Sequence, residues 1–186
     1  MSANAIRIIG GRWRGRRLRF PEVAALRPTP DRVRETLFNW LGQDLTGRAT
    51  LDLFTGSGAL SLESLSRGAT LAVAIDRDPR LVRALAATAK TLGTQALETH
   101  CADALSFLSR DGRNYDVIFL DPPFAKDEWA RLLTAAAMRL AREGVIYVEA
   151  RKPIAPPDGL TMWRSDKAGQ VHYHLLRHAG ENGEQC

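Results

Sequence analysis

The chain has 186 residues, 45% of them hydrophobic, which suits one soluble domain with a sizeable core. No apolar run approaches the ~20 residues that cross a bilayer, residues 1–10 lack a signal-peptide apolar segment, and two cysteines with four scattered histidines show no disulfide framework or metal-ligand spacing. The net charge of +5 is uneven: residues 1–40 hold nine arginines against three acids, while the rest holds 17 basic and 18 acidic side chains, so the N-terminal segment is expected to handle a polyanion.

Residues 5–20, AIRIIGGRWRGRRLRF, interleave arginine with Ile8, Ile9, Trp13, Leu18 and Phe20. That mixture argues against a disordered tail and for a small β-ribbon turning at Gly10-Gly11 and Gly15. Arginine, with no lysine among the nine, favours forked contacts to phosphate and stacking on bases. The candidate RNA-binding set is Arg7, Arg12, Arg14, Arg16, Arg17, Arg19 and Arg32, with an exposed Trp13 stacking on an unpaired base. A solvated basic arm without a specific target is the bland alternative. Residues 1–28 are therefore expected to form a basic RNA-binding extension, 29–178 the main domain and 179–186 a frayed tail.

Pro28 and Pro30 stiffen the entry to a helix over Asp31–Leu41, with Thr29 as its cap. Val33, Leu37, Phe38 and Leu41 recur at helical spacing and should dock on a sheet, while Arg32 and Arg34 extend the basic surface. Next comes Thr50–Glu63, TLDLFTGSGALSLE: a buried strand, a tight turn at Gly56 and Gly58, and a helix from Ala59 to Arg67 ended by Gly68. Glycines let the backbone approach a ligand closely, and the helix N-terminus offers unpaired N–H groups. Ser61 stands where a dinucleotide fingerprint would have its third glycine. Asp52 beside a pyrophosphate would cost about 1–4 kcal/mol, whereas beside an ammonium or sulfonium it is favourable. The stretch, with Phe54, suits S-adenosylmethionine better than a nicotinamide dinucleotide; a ligand-free turn is the alternative.

Strand and helix signals then alternate. Leu71–Ile75 is a strand ending at Asp76, followed by a helix over Pro79–Leu92. Ala96–Cys101 is a weaker strand with Cys101 as a small buried hydrophobe; Asp103 precedes a short helix to Ser109. Tyr115–Leu120 is a strong strand, Asp127–Arg142 a helix and Val145–Val148 a strand. Leu160–Ser165 and Gln170–Arg177 form an antiparallel hairpin. The fold expected is α/β and Rossmann-like: a mostly parallel, doubly wound sheet with a C-terminal antiparallel hairpin.

Four strands end in a carboxylate, at Asp52, Asp76, Asp103 and Asp121, and the strand ends of such sheets converge on one crevice. Each could instead cap a helix, Asp103 most of all. Asp76 lies 18 residues after Gly58, near the spacing at which an acid grips ribose hydroxyls. Asp103 suits an adenine amino group, with the backbone at Ala104 reading the ring edge. In Asp121-Pro122-Pro123-Phe124 the two prolines remove two backbone donors, leaving acceptors only. Such a turn holds an exocyclic amine by its two N–H groups and aims its lone pair at a methyl, while Phe124 stacks on the flipped base. Alignment alone is worth up to ~7–11 kcal/mol in a direct displacement. A rigid Pro-Pro turn with no chemistry is the alternative.

With IRIIGGRWRGRRL, RPTPDRVRETLFNWL, LDLFTGSGALSLESLSRGA, DRDP and DPPF, the sequence resembles class I S-adenosylmethionine-dependent methyltransferases. Within them it is similar to the bacterial 16S rRNA guanine-N2 methyltransferase family called RsmD, with nominal target guanine 966. The glycine turn and DPPF imply only amino methylation; the arginine-rich opening and RPTPDRVRETLFNWL carry the substrate. The resemblance implies that Asp52, Gly56 and Gly58 hold the methionine end of S-adenosylmethionine, with Phe54 also among the cofactor-binding residues. It implies Asp76 at the ribose and Asp103 at the adenine, with Arg77 and Ala104 as further cofactor-binding residues. Asp121, Pro122, Pro123 and Phe124 would handle the base, and the substrate would be small-subunit rRNA within the assembled subunit. A cytoplasmic monomer with no metal and no membrane contact is expected. The rivals are an adenine-N6 methyltransferase on DNA or RNA, a non-catalytic RNA-binding or ribosome-assembly protein and, weakest, a nicotinamide oxidoreductase.

Overall fold

A computed structural model describes residues 4–23, 29–122 and 129–180. Strands β1 (Asn4–Arg7) and β2 (Arg17–Phe20) pair antiparallel through a turn containing a 3-10 segment at Gly11–Trp13. There follow α1 (Asp31–Trp40), β3 (Ala49–Asp52), α2 (Ala59–Ser66), β4 (Leu71–Asp76), α3 (Pro79–Thr91), β5 (Leu97–Cys101) and α4 (Ala104–Arg110). The chain continues with β6 (Tyr115–Leu120), α5 (Trp129–Ala137), β7 (Leu140–Ala150), β8 (Leu160–Ala168) and β9 (Val171–His178).

The main sheet runs β5-β4-β3-β6-β7-β9-β8. Its first five strands are parallel, as their near-continuous apolar runs require, and β9 and β8 add antiparallel at one edge. The chain walks outward from β3 to β5, then returns to β6 on the other side of β3. That reversal makes β3/β6 the switch point of the sheet, where open α/β folds place their ligands. Alternation along the strands divides the core. One side packs Leu37, Phe38, Leu62, Leu65 and Leu85 of α1, α2 and α3, and the other packs Leu108, Leu132 and Leu133 of α4 and α5.

The ribbon is part of the first of these layers. Ile6, Ile8, Trp13, Leu18 and Phe20 are buried in it. Helix α2, covered by the sheet on one side and the ribbon on another, has all eight residues buried. Glu63 is fully buried there: its carboxylate accepts the N–H groups of Ile9 and Gly10 at 2.9 and 2.7 Å and pairs with Arg34 and Arg67. Ser66 Oγ accepts from Trp13 N–H at 2.9 Å and donates to Gly10 O at 2.6 Å. Gly11, at φ +70°, lies so close to the Ser66 carbonyl that a Cβ would overlap it.

Several expectations change here. Trp13 is 7% exposed, so it is a core residue and offers no stacking face to a base. Arg34 is fully buried, held by Glu63, Asp31, Arg7 O and Thr29 O, and so adds nothing to the basic surface. Thr29 makes no cap bond to α1, whose N-cap is Pro30; the Thr29 hydroxyl bonds to Glu149 instead. Cys101 is exposed on the edge strand β5. The helix expected to reach Arg142 stops at Ala137, because Leu140 is already paired with Tyr115 and buried. A register shift between Tyr115 and Val117 takes up the extra residues. The expected DPPF residues Pro123 and Phe124 lie outside the described residues, as does the tail after Gly180.

Candidate active site

The carboxylates line up because the strands do. In sheet order, Asp103 follows β5, Asp76 ends β4, Asp52 ends β3, Asp121 follows β6 and Glu149 lies near the end of β7. Parallel strands put all five on one edge of the sheet, with Asp52 and Asp121 at the switch point.

Asp52 is 4% exposed and sits under the glycine turn. Its Oδ2 accepts from Ser61 Oγ at 2.9 Å, with further bonds from the Thr55 hydroxyl and Phe54 N–H. The residue in the third fingerprint position is therefore an anchor for this carboxylate. Gly58 caps α2 at φ +78°, and a Cβ there would run into the Leu85 side chain. Asp76 accepts from Gly56 N–H at 2.9 Å and Asp78 N–H at 2.8 Å, so it braces the same turn from the next strand. Asp103 caps α4 by accepting Ser106 N–H at 2.9 Å, and its other oxygen pairs with Arg77. The capping alternative for Asp103 is thus realised. Ala104, the first residue of α4, is buried, and Phe54 is half-buried beside the turn.

Burial pushes Asp52 up to about 6, against hydrogen bonds from Ser61, Thr55 and Phe54, with the Asp76 charge adding to the rise. Burial also raises Asp121 well above the usual carboxylate range, and the charges of Glu149 and Asp52 reinforce it. Glu149, 6% exposed, is raised by burial despite hydrogen bonds from Thr29 and the Tyr147 hydroxyl, the latter at 2.8 Å. Asp103 is held low, chiefly by Arg77. A buried carboxyl group that ionises reluctantly is poised to gain from a cation. Three sit together at Asp52, Asp121 and Glu149. Among the described residues no three carboxylate, histidine or cysteine side chains are arranged so that they could hold one metal ion.

Glu149 was not found in the sequence, since it lies inside a strand rather than at a turn. Only the register Leu120↔Val148 shows that it neighbours Asp121. Ser61 and Glu63 were missed because their partners lie across the fold. Conversely, the ribbon arginines do not join the crevice. Arg7, Arg12, Arg14, Arg16, Arg17, Arg19 and Arg32 are all exposed, and the ribbon's turn meets the C-terminus of α2. At 1.5 Å per residue, that is roughly 10 Å along the helix from its crevice end.

Residues 6–177 match the model of the family described as conserved hypothetical protein 95. The chain is 43% identical over 178 residues to ribosomal RNA small subunit methyltransferase D of Escherichia coli strain K12, covering 92% of this chain and 89% of that protein. It is 37% identical to the protein of the same name from Haemophilus influenzae, covering 92% and 93%. The solved structure of Escherichia coli yhhF superposes with a TM-score of 0.86 at 38% identity, covering 94% of this chain and 98% of that one.

Proposed function

The chain belongs to the family described as conserved hypothetical protein 95, and from that premise we propose that it methylates the exocyclic N2 amine of a guanine in small-subunit ribosomal RNA. It is an S-adenosylmethionine-dependent methyltransferase. The crevice fits that cofactor. Asp52 is an ionisable group buried with no cation beside it among the described residues, and Gly58 leaves the turn without a Cβ at the helix N-terminus. Asp52 and the Gly56–Gly58 turn would hold its charged methionine end, Asp76 its ribose, and Asp103 and Ala104 its adenine. When bound, it supplies an electrophilic methyl group on a sulfonium.

One observation carries the catalytic assignment: Asp121, half-buried near Asp52 at the switch point, is followed by Pro122, which has no N–H to offer. An amine is held there by acceptors, its lone pair left free. Methylation makes that nitrogen acidic, so its surplus proton needs only a nearby carboxylate, and Asp121 and Glu149 are both at hand. The exposed arginines of the ribbon supply a surface for the RNA backbone. The assembled small subunit as substrate rests on the same family membership.

The test is methyl transfer from labelled S-adenosylmethionine to unmethylated small ribosomal subunits, naked 16S rRNA and duplex DNA, followed by identification of the nucleosides. N2-methylguanosine from subunits is expected. N6-methyladenine would overturn the substrate while keeping the site. Cofactor binding without transfer to any of the three would favour a binding-only role.

A further inference from the structure

We infer that Trp163, flanked by Arg164 and Arg177, is a stacking site for an unpaired RNA base, a second nucleic-acid contact on the sheet edge opposite β5. The inference deepens the proposed function and rests on it in taking the polyanion to be ribosomal RNA. The sequence assigned base stacking to Trp13, which the fold buries; Trp163 is 39% exposed.

Three features set this side chain apart. It sits at an irregularity in the β8–β9 ladder. Met162 pairs with Leu176 and Arg164 with Leu175, so Trp163 is the unmatched residue between them. Bulges of this kind re-aim a side chain out of the ladder. Second, two guanidinium groups approach the one indole, Arg164 at 4.9 Å and Arg177 at 5.6 Å from the ring centroid. Third, among the described residues neither arginine has a carboxylate within 4 Å and the buried Arg177 Nε has no hydrogen-bond partner. A buried donor without an acceptor is unfavourable, and a phosphate or base oxygen would satisfy it. By contrast, Arg34, Arg67 and Arg113 all sit on carboxylates.

Charge on an edge strand also discourages pairing with another sheet, which accounts for Arg164 and Lys167. It does not account for an exposed indole between two arginines, the combination that proteins binding single strands use. The location suits the same purpose. By ladder register, Arg164 and Arg177 point to the face of Leu175, which is the α1 face of the sheet. Exposed Arg32 of α1 lies on that face too, close enough to Asp166 and Tyr173 to affect their ionisation. From Asp121, three strand spacings of about 4.8 Å lead to the level of Asp166 on β8, and Trp163 lies three residues further along that strand, roughly 17 Å away in all. A few nucleotides of extended RNA cover that span, so one base could enter the crevice while a neighbour stacks at Trp163.

The test combines two measurements on the full chain: affinity for a short unstructured RNA across a salt series, and methyl transfer to small subunits. Trp163→Ala should weaken RNA binding about 5- to 150-fold, the equivalent of one lost base stack, with the urea midpoint unchanged. Trp163→Phe should restore most of it. The KM for subunits should rise with kcat within about twofold. Arg164→Gln with Arg177→Gln should lower the salt slope by about 1.4. Trp163→Ala binding RNA as tightly as the unaltered chain would overturn the inference. So would loss confined to intact subunits and absent with naked rRNA, which would mean that the surface meets a ribosomal protein. Unaltered protein that needs Trp163 for RNA but methylates no guanine would refute the proposed function and leave this contact standing. Guanine methylation indifferent to Trp163 would do the reverse.

Discussion

Two tryptophans of this chain sit in nearly the same local company and end up with opposite fates. Trp13 lies in Gly-Arg-Trp-Arg with Arg12 over its ring at 4.2 Å, and Trp163 lies in Met-Trp-Arg with Arg164 over its ring at 4.9 Å. Composition favours the first as a nucleic-acid contact, because eight arginines lie within residues 1–32. Yet the ribbon folds back on α2, where the backbone N–H of Trp13 finds Ser66 and its ring joins the core. Trp163 sits on the edge strand β8, with no further strand paired beyond it among the described residues. A local run of arginine and tryptophan thus specifies a charged surface, but a distant partner decides whether the ring belongs to it.

The sharpest way to break this comparison is to truncate both rings. Trp13→Ala should cost about 3–5 kcal/mol of stability, as for other large buried aromatics. Trp163→Ala should stay within about 0.5 kcal/mol, as surface changes do. Urea unfolding monitored by circular dichroism reads both; equal losses would mean that Trp163 is a packing residue as well.

Next in size is the clamp that holds the ribbon. Glu63→Gln removes the charge that faces Arg34 and Arg67 while keeping the volume, and breaking a buried pair of this kind costs about 3 kcal/mol. The amides of Ile9 and Gly10, which donate to Glu63, should then exchange faster than those of β6. If they stay as protected as before, the ribbon is held by its apolar side chains alone.

The ribbon arginines should behave in the opposite way to the ring they surround. Replacing Arg12, Arg14 and Arg16 together by alanine should leave the urea midpoint nearly unchanged, since all three are exposed. The same change should flatten the salt dependence of RNA binding by up to about 2 in log–log slope, some 16-fold in affinity over a fourfold change in salt. An unaltered slope would remove the ribbon from the RNA interface.

What the sequence made legible divides along the same line. The acids at Asp52, Asp76, Asp103 and Asp121 could be read because each follows from a local pattern, an apolar run meeting a turn, and the sheet brings such ends together without further instruction. The parallel sheet and its hairpin edge were legible for the same reason. Glu149, Ser61 and Glu63 were not, because their roles depend on register and on partners across the fold. Leu140–Arg142 looks helical in isolation and becomes strand only because Tyr115 offers a place in the ladder. Arg34 carries no local sign that its partner is a buried glutamate 29 residues away.

The crevice differs from both basic surfaces in being lined with acids, and this gives it a pH signature that neither ribbon nor hairpin shares. Asp52 in the ligand-free chain is raised from 3.8 to about 6, burial being the main cause. A cationic ligand favours the ionised carboxylate, so below about pH 6 binding must expel a proton from Asp52 and the affinity for S-adenosylmethionine falls. Above that pH this contribution is fully present. The expected loss is up to tenfold for each pH unit below 6, with proton release detectable as a buffer-dependent heat in calorimetry. Asp121 faces the same carboxylate and is itself raised, chiefly by burial, so the unaltered protein will show a broadened profile. The Asp52→Asn variant isolates the effect: its affinity should be low throughout and nearly flat between pH 5 and 7. A variant that keeps the full slope would move the cation from Asp52 to another carboxylate of the row.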